Sequence, residues 1–114
     1  NELRIKQASH LIKTIKKSNI ETLKLTSDQF SVFHQFPILS TKRKSLMNFL
    51  QTKGINCGIY YPKPIYKYKA YSNYSYDDLP MVKKVSNQCL SLPIYPELEL
   101  KDIKLISNVL NDYE

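Results

Sequence analysis

Tryptophan is absent from this 114-residue chain, and glycine, arginine and cysteine occur only twice each. Each scarcity excludes something. With Gly54 and Gly58 as the only glycines, neither a phosphate-cradling loop nor a dinucleotide-binding fingerprint fits anywhere. Cys57 and Cys89 stand at no ligand-like spacing from His10 or His34, so no metal site is expected. The two thiols read as small buried hydrophobes and not as a disulfide. The nucleophile elbow G-x-S-x-G and the zinc motif H-E-x-x-H are both missing, and no catalytic centre is recognisable. No apolar run approaches the ~20 residues that span a bilayer, and no signal-peptide pattern opens the chain. A cytoplasmic protein with no membrane partner is expected. The chain starts at Asn1 without methionine, as a fragment or excised domain would.

The charge is lopsided. Seventeen basic against ten acidic residues leave +7, which suggests an anionic partner. Yet Ile, Lys, Asn and Tyr make up 43 of the 114 residues, the bias an A+T-rich genome imposes on any protein. Arginine, the residue favoured for bidentate phosphate and base recognition, is nearly lacking. The lysine excess is discounted accordingly.

What is present fits one domain over residues 1–114, long enough for a modest core. Ile5, Ala8, Leu11, Ile12 and Ile15 recur at steps of three and four, predicting an amphipathic helix over 2–18 stopped by Ser18-Asn19. Leu23 and Leu25 suggest a short extended segment. FSVFHQFPIL, 30–39, reads as a strand with Phe30, Val32, His34 and Phe36 on one face and His34 packed in the core. Pro37 marks an edge position or an irregular strand end. Ser40 or Thr41 should cap a helix over 42–53, with Leu46, Phe49 and Leu50 inward and Gly54 ending it. A second strand is predicted around 55–61. Asp77 or Asp78 should cap a short helix with Pro80 in its first turn. Cys89 to Tyr95 reads as a third strand and Leu100 to Tyr113 as a last helix. The fold class is therefore α/β (or α+β-like), with three or four short strands in one small sheet covered by helices.

Residues 54–80, GINCGIYYPKPIYKYKAYSNYSYDDLP, hold seven of the nine tyrosines and both glycines, punctuated by Pro62, Pro64 and Pro80. Rings interleaved with lysines are one way to stack single-stranded nucleic acid. The clustering in one proline-bound loop, in place of alternation along strands, argues against that reading. Each of Tyr66, Tyr68, Tyr71, Tyr74 and Tyr76 either meets a ligand or packs the loop onto its own domain.

Across the chain, His34-Gln35-Phe36, Gly54-Ile55, Tyr61-Pro62-x-Pro64, Ala70-Tyr71, Leu79-Pro80 and LSLPIYPEL at 90–98 follow one order and spacing. This series resembles the C-terminal small domain of the DegT/DnrJ/EryC1/StrS family, pyridoxal-phosphate-dependent nucleotide-sugar aminotransferases. The likeness runs from the first helix to the last, and LSLPIYPEL is its most diagnostic piece.

The resemblance implies a small C-terminal domain of aminotransferase fold type I. The large domain, bearing the lysine that forms the Schiff base with pyridoxal 5'-phosphate, would be a missing partner. The complete enzyme would be a homodimer that transfers an amino group, usually from glutamate, to a keto group of a nucleotide-linked sugar. The resemblance places loop 60–71 at the substrate cleft, with Tyr60, Tyr61, Lys63, Tyr66 and Lys67 as substrate-binding residues. No catalytic, cofactor-binding or metal residue is assigned to this chain, which is expected to bind no cofactor and to be inactive alone. Nucleic acid is not expected as a partner. Where the family has His, His, Gln and Glu, this sequence has Tyr60, Tyr66, Tyr68 and Lys83. A tyrosine keeps a ring and a hydrogen-bonding tip but does not titrate near neutral pH. The roles of those histidines are therefore not carried over. A free-standing nucleic-acid-binding module and a structural remnant of the fold stand as alternatives.

Overall fold

In β2, Phe36–Ser40, burial alternates: Phe36, Ile38 and Ser40 are buried while Pro37 and Leu39 are half-buried. That period of two defines two unequal faces for the whole sheet. A computed structural model describes all 114 residues. The chain order is α1 (Glu2–Thr14), β1 (Ile20–Thr22), β2, α2 (Arg43–Thr52), α3 (Pro80–Gln88), β3 (Cys89–Leu92) and α4 (Leu100–Asp112). Two single 3-10 turns, Ile65–Lys67 and Lys69–Tyr71, interrupt the long loop. The sheet is antiparallel throughout in the order β1-β2-β3, with β2 in the middle. No helix is long and apolar enough to cross a membrane.

The first face carries the core. Phe36, Ile38, Leu90 and Leu92 share it by register and join Ala8 and Leu11 of α1, Leu46 and Leu50 of α2, and Ile103, Ile106 and Leu110 of α4 in one cluster. Burying each such Leu, Ile or Phe contributes roughly 1.5–3 kcal/mol, so this cluster carries most of the chain's stability.

The expected α/β architecture holds, with several elements displaced. Helix α1 ends at Thr14, four residues early, because Ile15 turns into extended backbone and enters the core. Asn111 of α4 clamps that end: its Nδ2 donates to Thr14 O and its Oδ1 accepts from Lys16 N, both at 2.8 Å. The strand predicted over 30–39 begins only at Phe36, since Phe33 adopts a left-handed φ of 46° that breaks extended pairing. As a result Phe33 is buried and His34 exposed, correcting the expectation of a core histidine. The extended segment near Leu23 is β1, three residues earlier than placed.

No strand forms over 55–61. Gly58 alone bridges Ser91, exchanging Ser91 N to Gly58 O at 2.8 Å and Gly58 N to Ser91 O at 3.0 Å. Pro62 and Pro64, without N–H donors, prevent its extension. The bridge also explains Pro37. Because Ser91, opposite it, turns both backbone groups toward Gly58, Pro37 sits at a pair that needs no donor on that side. On its other side β1 has already stopped at Thr22, opposite Ile38. The proline is thus tolerated in the central strand, not at an edge.

Helix caps also differ. Lys42 and Leu79 occupy the N-cap positions of α2 and α3 without side-chain cap bonds, and Asp78 pairs with Lys83 instead. Pro80 begins α3 as predicted. A reciprocal pair, Glu99 and Asp102, caps α4. Gly54 ends α2 at a φ of +76°, with Gly54 N bonded to Gln51 O and Ile55 N to Leu50 O, a complete Schellman motif.

Nothing lies within 4 Å of a Cβ added to Gly54, so only backbone strain opposes substitution. Gly54→Ala should lose about 1–2 kcal/mol in urea unfolding and Gly54→Asn distinctly less. Equal stability of all three would refute the left-handed cap.

Candidate functional site

The second face of the sheet is only partly covered. Leu39 and Pro37 of β2 and Cys89 of β3 lie on it, and α3 crosses it as the single overlying helix. Beside α3 lie two hollows of about 570 and 510 Å³. They share Tyr61, Val85 and Cys89 and so form one continuous cleft. One arm runs between α3 and the loop residues Lys63, Pro64, Ile65 and Tyr68. The other follows Glu21 to Lys24 and ends at Gln35, Pro37 and Leu39.

Helix α3 is inverted relative to an ordinary amphipathic helix. It buries Ser86 and exposes Met81, Val82 and Val85, which line the cleft. Sequence reasoning missed these three residues, together with Leu39 and Cys89. The readable signal was the apolar spacing 81, 82, 85 in a helix whose only buried position is a serine.

The tyrosine loop divides into a self-packed half and a presented half. Tyr66 packs against Tyr76 with ring centres 5.0 Å apart and Tyr71 against Tyr74 at 6.3 Å, both pairs tilted, while Tyr76 OH donates to Tyr71 O at 2.8 Å. These rings mainly hold the loop together. Tyr60 and Tyr61 do not join them; they are 60% and 76% exposed, and neither hydroxyl is hydrogen-bonded. The Tyr60 ring lies over Gly58, where an added Cβ would come within 2.8 Å of it. Glycine leaves room for that close approach, which the exposed ring could also relieve by swinging away.

Of the five residues singled out in the sequence, Tyr61 and Lys63 line the cleft. Tyr60 lies over Gly58 and lines neither arm. Tyr66 faces Tyr76, its hydroxyl buried without a partner, and Lys67 is exposed on the first 3-10 turn. The Lys63 ammonium rests 4.3 Å from the centre of the Tyr68 ring, a cation–π contact with no carboxylate nearby to hold it.

Both cysteines are free and half-buried. Cys57 packs against the core, and burial pushes its thiol from the ordinary 9.0 up to about 11. Burial also raises Cys89, partly offset by the nearby Arg43 charge.

A model of the DegT/DnrJ/EryC1/StrS aminotransferase family matches residues 1–111. The chain belongs to that family. It is 27% identical over 113 residues to the dTDP-3-amino-3,6-dideoxy-alpha-D-galactopyranose transaminase of Aneurinibacillus thermoaerophilus, covering 99% of this chain and 31% of that protein. A pleiotropic regulatory protein of Geobacillus stearothermophilus is 35% identical over 82 residues, covering 70% of this chain and 22% of its own length. Among solved structures, a DegT DnrJ EryC1 StrS aminotransferase from Brucella abortus superposes with a TM-score of 0.86 at 32% identity, covering 96% of this chain and 30% of that one. The chain thus spans less than a third of the length of these family members.

The cysteines report on the site directly. Iodoacetamide at pH 8 should label Cys89, at the cleft wall, ahead of Cys57, whose rate should keep climbing toward about pH 11. Since the fold favours the Cys57 thiol, its contribution to stability is present below about pH 9 and is lost as pH rises through about 11. Cys57 reacting first would contradict the described packing.

Proposed function

We propose that residues 1–114 form the small C-terminal domain of a pyridoxal-phosphate-dependent aminotransferase acting on a nucleotide-linked keto sugar, and that loop 60–71 is its substrate-facing contribution. The carrying observation is Tyr61 and Lys63, exposed on the wall of an apolar cleft of the family fold, with the Tyr61 hydroxyl free of protein partners. Apolar pockets with a few convergent polar groups are where small ligands bind.

Each element has a role in binding. Tyr61, Ile65, Val82 and Val85 offer apolar surface to a sugar or base face. The hydroxyls of Tyr60 and Tyr61 are free to bond sugar oxygens. Lys63 and Lys67 meet a diphosphate as point charges, Lys63 by leaving the Tyr68 ring. Pro62 and Pro64 restrict the loop beforehand, which lowers the entropy lost on binding. Tyr66, Tyr71, Tyr74 and Tyr76 keep it in shape.

Pyridoxal phosphate, when bound in the complete enzyme, supplies the electron sink for amino transfer. The residues present do not make a site for it. A phosphate cradle needs free N–H groups from a glycine loop or a helix start. Gly54 terminates α2, the Gly58 N–H is bonded to Ser91 O, and α3, the helix beside the cleft, opens with Pro80 and has its Lys83 N–H bonded to Leu79 O, leaving only the Met81 and Val82 donors. The coenzyme, its lysine and the dimer contacts are assigned to the remaining polypeptide, and the chain alone is proposed to be inactive.

Titration of isotopically labelled chain with millimolar UDP-N-acetylglucosamine, where about −4 kcal/mol of binding gives half-occupancy, tests the reading. Saturable NMR shifts should appear at Tyr61, Lys63 and Val85, and Tyr61→Ala with Lys63→Ala should abolish them. Absence of shifts at those residues, or saturable shifts elsewhere only, would refute it.

A further inference from the structure

Arg43 lies outside the cleft, yet its charge serves the cleft wall. It occupies the first position of α2, half-buried, and its Nη1 donates to Ser86 O at 2.6 Å and reaches Cys89 O at 3.4 Å. Those two carbonyls flank the junction where α3 ends and β3 begins.

Helix α3 needs such help. Nine residues are too few for a helix to persist by itself in water. Its N-terminal end has no side-chain cap, and at its C-terminal end Val85 O accepts from Cys89 N while Ser86 O is left to Arg43. A cation at that end satisfies a carbonyl and complements the helix dipole. Here the cap comes from another helix, 43 residues away in sequence. The other long-range tie is Lys84 to both carboxylate oxygens of Glu21 on β1, at 2.8 and 3.0 Å, and it is more exposed and so weaker. The Lys83–Asp78 pair is local and fully exposed.

We propose that Arg43 is a positioning residue for the cleft: by capping α3 from α2, it fixes Met81, Val82 and Val85 against the sheet and sets the cleft's width. It touches no ligand. The functional use of this wall rests on the reading given above, but the cap itself is open to test without any ligand.

Hydrogen exchange on the 114-residue chain separates the two. In Arg43→Met, amides of 80–88 should exchange about tenfold faster or more, the loss of a charged hydrogen bond, while those of 100–112 change by no more than about threefold. Arg43→Lys, a point charge without the planar fork, should restore part of the protection. Iodoacetamide labelling of Cys89 supplies a readout of opposite sign for charge and packing: losing the Arg43 charge raises its pH profile, whereas looser packing alone would lower it. Its pH profile should shift upward in Arg43→Met and stay in place in Arg43→Lys, with Glu21, Lys24 and Lys63 along the same cleft unchanged. Unaltered exchange in 80–88, or equal loss in α3 and α4, would overturn the proposal. Should Arg43→Met fail to fold, the same comparison between Arg43→Lys and the parent chain decides. Loosening of α3 without any ligand response would leave the cap standing and sink the cleft reading alone.

Discussion

The alternation along β2 is the constraint on which the rest depends. A three-stranded sheet has two faces to bury, and this chain supplies three helices for one of them. Phe36 and Ile38 take that face, and with it the core; Pro37 and Leu39 take the other. A slip of one residue would exchange the two sets and leave Phe36 on the open side. Because the second face receives only the short α3, apolar surface remains uncovered around Leu39, Val85 and Tyr61. The cleft is thus a consequence of how few elements cover the second face.

The tyrosine-rich loop resolves into structure and display. A long loop without helix or strand must otherwise pay for its ordering through scarce contacts, and paired rings with proline-restricted backbone provide an alternative. Tyr66 with Tyr76 and Tyr71 with Tyr74 brace the loop, while the Gly58 bridge to Ser91 ties its base to β3. That bracing leaves Tyr61 without a ring partner or a bonded hydroxyl, while Lys63 rests on Tyr68 and Tyr60 lies over Gly58. The departures from the family's histidines fit this division in part. A tyrosine at 66 can pack against Tyr76 in a way that keeps a ring at that position, and at 60 it fills the space above a glycine.

Features decided by neighbouring residues were legible in the sequence. The end of α2 at Gly54, the start of α3 at Pro80, the extent of α4 and the family series ending in LSLPIYPEL all follow from local signals. Features decided by distant partners were not. Asn111 ends α1 from across the core, Ser91 makes Pro37 tolerable in a central strand, and Phe33's left-handed turn reverses the burial of 30–35. For the site, the sequence pointed to Tyr60, Tyr61, Lys63, Tyr66 and Lys67, of which Tyr61 and Lys63 line the cleft, and it left open which tyrosines brace the loop. The α3 wall was hidden because its apolar residues face outward, where a pattern-based reading assigns no role.

The most direct measurement is a crystal structure of the complete polypeptide with a nucleotide sugar bound. The account predicts the Tyr61 ring and the Lys63 ammonium in contact with the ligand, and the open flank of α3 walling the same cavity. A ligand held elsewhere, with Tyr60 and Tyr61 sealed against other protein side chains, would contradict it.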